Sequence, residues 1–130
     1  MNDTIFGKII RKEIPAVIVY ENEQFLSFMD INPASKGHIL LIPKEQYAWM
    51  YDAPDALISA IFIKAKELML ALKKALHCDY VQLSVVGNEV PHFHIHLIPR
   101  MHNENIHGPH VTYTEGEMQS IAEGIIAAIG

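Results

Sequence analysis

Three histidines separated by single apolar residues, His92-Phe93-His94-Ile95-His96-Leu97, form the chemically richest stretch of the chain. Strict alternation is the period of a half-buried β-strand, because successive side chains point to opposite faces. On such a strand His92, His94 and His96 line one face, with neighbouring Cα atoms roughly 7 Å apart, while Phe93, Ile95 and Leu97 face a core. Pro91 and Pro99, which cannot donate to a sheet ladder, are expected to bracket it. Imidazole serves as acid, base, nucleophile or metal ligand near neutral pH. Three readings follow: a solvated histidine-rich face, a zinc centre in which three histidines leave one position open, or covalent catalysis in which the middle imidazole attacks phosphorus.

The stretch resembles the signature of the histidine triad (HIT) hydrolases and transferases, His-φ-His-φ-His-φ-φ with φ apolar, which His92 to Ile98 matches throughout. Two further segments carry the resemblance. Thr4-Ile-Phe-Gly-Lys-Ile-Ile-Arg-Lys-Glu-Ile-Pro-Ala16 is similar to the opening of the family's Hint branch, the nucleoside phosphoramidases. Phe28-Met-Asp-Ile-Asn-Pro33, followed by Gly37-His-Ile-Leu-Leu-Ile-Pro-Lys44, resembles the family's middle signature. Several motifs in the right order over residues 4 to 100 make the match specific.

The resemblance implies roles for individual residues. His94 is the nucleophile toward an α-phosphate, forming a nucleotidyl-histidine intermediate that water then hydrolyses. His92 and His96 donate to phosphate oxygens and fix the tautomer of His94, and His38 is brought beside them. Asp30 matches the family's ribose-binding acid, a carboxylate accepting from two hydroxyls. Phe6, Ile9, Ile14, Phe28 and Ile31 match the nucleobase pocket, although periodicity alone would place each in the core. Glu89 and Val90 belong to the segment before the triad that contacts nucleotide. The implied substrate is a purine nucleotide, the implied assembly a homodimer, and no cofactor is implied.

Three departures qualify the match. Thr4 and Gly7 stand where some relatives carry a zinc-binding Cys-x-x-Cys, and Gln46 stands where they carry a further histidine, so no metal site is expected. The Gly-rich loop before the triad is shortened to Val86-Gly-Asn-Glu-Val-Pro91. Ile98-Pro-Arg100 and a polar loop replace the Hint branch's Trp-containing tail. Glu89 takes the place of a serine that contacts phosphate and leaving group. An ionised carboxylate cannot donate there; it should favour a cationic amine over a polyphosphate by roughly five- to tenfold.

Composition bounds the rest. A chain of 130 residues fits one domain, and one this size buries about two-thirds of its unfolded surface. Fifteen acidic against ten basic side chains give a net charge of −5, which supplies no basic footprint for long nucleic acid. Cys78 is the single cysteine, so no intrachain disulfide can form and a reducing, cytoplasmic setting is expected. The N-terminus lacks the apolar run of a secretory signal, and no window is long and apolar enough to span a membrane.

The elements that must position these residues follow from periodicity. Asp3 or Thr4 caps a short helix with Ile5, Phe6, Ile9 and Ile10 on its stripe, ended by Pro15. Ala16 to Glu21 and Phe25 to Asp30 read as strands joined at Asn22-Glu23; a loop through Asn32-Pro33 and Gly37 leads to a third, His38 to Pro43. Pro54 to His77 is a long helix buried along Leu57, Ile58, Ile61, Phe62, Ala65, Leu68, Met69 and Leu72. Tyr80 to Val86 is a fourth strand, connected by a hairpin at Gly87-Asn88-Glu89 to the histidine strand. The segment from Arg100 to Tyr113, carrying His102, His107 and His110, reads as a solvated loop or a flap. Thr114-x-x-Glu117 reads as a capping box opening a last helix. The expected architecture is α+β: a five-stranded, mostly antiparallel sheet with one long helix and a C-terminal helix, a single HIT-like domain over residues 1–130.

Overall fold

A computed structural model describes residues 4–130. The elements run α1 (Ile5–Ile10), β1 (Ile18–Glu21), β2 (Phe25–Met29), β3 (Ile39–Pro43), α2 (Asp55–Leu76), β4 (Tyr80–Ser84), β5 (Ile95–Arg100) and α3 (Glu117–Ala128). The five strands form one antiparallel sheet in the order β1-β2-β3-β5-β4. None of the described helices is long and apolar enough to cross a membrane.

Alternation along the strands divides the core in two. Ile39, Leu41, Ile95 and Leu97 face α2 and α3, packing with Phe93 against Ile61, Ala65, Leu68, Leu72 and Ile125. Leu26, Phe28, Leu40 and Ile42 face the other way and are covered by Phe6 and Ile9 of α1. The central strand β3 therefore reads as a continuous apolar run, because both its faces are covered. Thr4 caps α1 by accepting from the Gly7 N–H (3.0 Å); Asp3, the other candidate cap, and the rest of the N-terminal tripeptide lie outside the described residues.

The histidine segment departs from its expected strand. β5 begins at Ile95, so only His96 of the triad lies within it. Pro43 has no N–H to extend the β3 ladder, and its carbonyl accepts instead from the His92 ring. Phe93 N–H turns to Tyr47 O (2.6 Å). Pro99, expected to end the strand, sits inside it opposite Val81. It is tolerated because β3 starts at Ile39, opposite Leu97, leaving no strand beside Pro99 on that side; the Ser35 hydroxyl donates to its carbonyl (2.6 Å).

Loop lengths differ as well. β4 ends at Ser84, so a ten-residue connection, 85–94, replaces the expected tight hairpin. Residues 16 and 17 precede β1, and His38 stands just before β3. The last helix starts at Glu117 after Gly116 in the left-handed region (φ 79°). Glu117 still reaches back to the Thr114 N–H (2.9 Å), as a capping box would have it, but the helix opens two residues later than that motif implied.

Candidate active site

The site is built where β3 and β5 lie side by side. His96 pairs with Leu40 across the ladder, which puts both on the α1 face of the sheet. His38, two residues before Leu40, shares that face. The approach to β5 keeps the alternation beyond the ladder: Phe93 is buried under α2, while His92 and His94 meet the edge of Phe6 from α1 at ring-centroid distances of 6.1 and 4.9 Å. Gln46 braces the approach, its side-chain amide donating to Pro91 O (2.8 Å).

Hydrogen-bond partners assign every proton on the rings. Ala34 N–H donates to His38 Nδ1 (3.0 Å), so the His38 proton sits on Nε2. That Nε2–H then donates to His96 Nδ1 (3.0 Å), leaving the His96 proton on Nε2. His92 Nε2–H donates to Pro43 O (2.7 Å). His94 Nδ1–H donates to His92 O (2.7 Å), which leaves the lone pair on His94 Nε2. A backbone carbonyl thus fixes the orientation of the middle imidazole, and its neighbour His96 offers an N–H.

Burial favours the neutral form of His38, His92 and His96. Desolvation, with His96 alongside, holds His38 down to about 3; desolvation and then His94 hold His96 down to about 4. His92 is also lowered, by burial first. Asp30 moves the opposite way: burial raises its carboxyl, against the Asn32 N–H that it accepts (2.8 Å). Its other oxygen lies 3.5 Å from His38 Nε2.

A cavity of about 380 Å³ opens over His94 and His96. Asp30, Asn32 and His110 form one wall, and the 86–90 segment, including Glu89 and Val90, forms the other. A smaller cavity of about 110 Å³ adjoins it, sharing Phe6, Asp30 and Leu40 and lined further by Ile9, Ile14, Phe28 and Ile31. Phe6, Ile9 and Phe28 are also core residues, whereas Ile31 is 81% exposed and stands at the rim. Every residue singled out from the sequence therefore borders one cavity or the other, except His92, which is fully buried behind His94. Glu89 is exposed, so its charge is largely screened and the five- to tenfold preference expected of it shrinks.

Sequence reasoning did not single out His110, whose loop it read as solvated or as a flap, or Asn32. The signal for Asn32 was present in Asp30-Ile-Asn32: a carboxylate accepting from the N–H two residues on is an Asx-turn. Nothing in the spacing of His102, His107 and His110 separates the last from the others.

Asp30, His38 and His96 bring one oxygen and two nitrogens within 4.8 Å of one another, a donor set suited to zinc. The proton pattern does not fit. Zinc on His38 Nε2 would push the ring proton to Nδ1, where it would meet the Ala34 N–H donor against donor. Thr4 caps α1 and Gln46 braces Pro91.

The comparisons with known proteins agree with this geometry. The HIT domain profile matches residues 11–103. A HIT-like protein of Methanocaldococcus jannaschii is 43% identical over 100 residues, covering 74% of this chain and 78% of its own. Adenylylsulfatase HINT3 of Arabidopsis thaliana is 38% identical over 104 residues, which are 76% of this chain and 53% of that longer protein. The crystal structure of a Hit-like protein from Bartonella henselae superposes with a TM-score of 0.89 at 32% identity, over 98% of this chain and 97% of the other. With motif, sheet and relatives in agreement, this chain belongs to the HIT family.

Proposed function

We propose that the protein is a nucleotide hydrolase that cleaves purine nucleoside phosphoramidates or adenylated amines at the α-phosphate. The observation that supports this most is His94 bordering the cavity with its Nδ1 held by His92 O, which in the neutral ring puts the lone pair on Nε2. In the first step that lone pair forms a bond to the α-phosphorus, the bond from phosphorus to the amine breaks, and the amine departs carrying a proton taken from solvent. In the second, a water oxygen bonds to phosphorus and releases a proton to solvent, the His94–phosphorus bond breaks, and the nucleoside monophosphate leaves. His96 Nε2–H, neutral at pH 7, hydrogen-bonds a phosphate oxygen, and His38 holds it in that tautomer. Asp30 takes the ribose, and the apolar side cavity of Phe6, Ile9, Ile14, Phe28 and Ile31 takes the base. Glu89 and Val90 border the leaving-group side.

A single HIT domain suffices for this chemistry, and we read the enzyme as a cytoplasmic homodimer. The dimer is supported by β4, an edge strand exposing Tyr80 and Leu83, and by Ile63 and Leu70 exposed on α2. The buried, unpaired thiol of Cys78 favours a reducing compartment.

Turnover of adenosine phosphoramidate, adenylyl-lysine, adenylyl sulfate and diadenosine polyphosphates, with and without chelator, tests the reading. The amine-bearing substrates should be cleaved fastest and chelation should change nothing. His94→Ala should abolish turnover while AMP binding stays within a few-fold, and only the wild type should yield a nucleotidyl adduct by mass spectrometry. An active His94→Ala enzyme would overturn the nucleophile. Faster cleavage of adenylyl sulfate, the compound named in its Arabidopsis relative, would transfer the assignment to an acidic leaving group.

A further inference from the structure

His110 enters the cavity from a segment remote from every motif above. Its Nδ1–H donates to Asn32 O (2.8 Å), and the next residue, Val111, donates its N–H to Pro33 O (3.0 Å). Two adjacent bonds clamp 110–111 against 32–33 and fix an otherwise exposed ring. Downstream, Gly37 N–H donates to Tyr113 Oη (2.9 Å), and Lys36 pairs with Glu117 (2.7 Å). The tail is tied to the 32–37 loop at four points.

Asn32 holds two groups of the wall at once. Its N–H donates to Asp30 Oδ1, and its carbonyl accepts from His110 Nδ1. The carboxylate and the imidazole are therefore set side by side on the same cavity. With Nδ1–H committed to Asn32, the nitrogen left for a ligand is Nε2, which in the neutral ring accepts a hydrogen bond. Asp30 has one oxygen engaged by Asn32 and the other 3.5 Å from His38 Nε2. Vicinal hydroxyls bring two donors to a wall whose carboxylate is already partly occupied, and a second acceptor beside it completes the match.

We infer that His110 is a specificity-determining contact, its Nε2 accepting from one of the two vicinal ribose hydroxyls while Asp30 accepts from the other. The inference rests on the nucleotide reading above and extends it to the choice of ribonucleotides over deoxyribonucleotides.

Calorimetric binding of AMP, 2′-deoxy-AMP and 3′-deoxy-AMP at pH 8 tests it, with wild type, His110→Asn and His110→Gln. Asparagine keeps an N–H near the Nδ1 position and with it the bond to Asn32, but it has nothing at Nε2. Glutamine extends an amide to the Nε2 position. His110→Asn should weaken AMP by about fivefold, the scale of one hydrogen bond, and leave unchanged the deoxynucleotide that lacks the hydroxyl His110 holds. His110→Gln should recover most of the AMP affinity. If asparagine preserves AMP affinity and glutamine does not, the ring only braces Asn32 and the inference falls. If His110→Asn weakens AMP and both deoxynucleotides equally, it falls as well. A wild type that binds none of the three overturns the nucleotide reading itself, and this inference with it.

Discussion

Two buried, neutral imidazoles make the fold acid-labile in a defined window. His38 is held down to about 3 and His96 to about 4, both by desolvation first, whereas an ordinary imidazole titrates near 6.5. Between those values the unfolded chain binds protons that the folded chain refuses. Stability should therefore be complete above about pH 6.5 and fall as the pH drops toward 4. At pH 5 each ring costs RT ln(1 + 10^1.5), about 2 kcal/mol. The pair together costs about 4 kcal/mol there, with Asp30 standing 3.5 Å from His38. Its own raised carboxyl works in the opposite sense, stabilising the fold below its unfolded value and losing that contribution as pH rises, so it offsets part of the loss at the acid end. Urea unfolding at half-unit steps from pH 5 to 7 reads the proton count as a slope of about 1.4 kcal/mol per pH unit per proton. The wild type should show close to two protons near pH 5, and His96→Asn should remove about one. A wild-type slope below half a proton, or an unchanged slope in His96→Asn, would refute the reasoning.

Gly37 has φ +97°, and a Cβ there would come within 2.3 Å of Leu76 Cδ1; Gly37→Ala should lower unfolding free energy by about 2 kcal/mol and weaken AMP binding, because His38 follows it directly. Glu89→Gln should raise kcat/KM for diadenosine polyphosphates relative to phosphoramidates by about twofold, the modest effect of an exposed charge; an unchanged ratio would remove Glu89 from the leaving-group side.

The alternation in 92–97 carried the essential geometry even though the strand assignment was too long. What it encodes is which side of the chain each residue faces, and an extended approach preserves that without ladder bonds. The boundary depended on Pro43, which lies 49 residues away in sequence from the His92 ring it accepts from, and no local pattern in 91–99 contains that information. Pro99 shows the same limit in reverse. Its rule against central strands is sound, but whether β5 is central at position 99 depends on where β3 begins. Apolar residues of α1 and β2 were readable as core or as cavity lining, and Phe6, Ile9 and Phe28 are both, because the side cavity is a gap left between that helix and that sheet face.

The tautomer chain explains why the residues around the triad matter as much as the triad itself. A histidine pair is symmetric until something distinguishes its nitrogens, and here Ala34 N–H does so at one end of the chain. That amide lies in the 32–37 loop, whose conformation is set by Gly37 in the left-handed region and by the bonds from His110, Val111 and Tyr113. A loop free to turn its Ala34 amide away would let the His38 proton move to Nδ1. His38 would then accept from His96, and the proton facing the cavity would be lost. Holding that proton in place therefore depends on a backbone amide, a glycine and a tail segment, none of which touches the reacting phosphate in the proposed reaction.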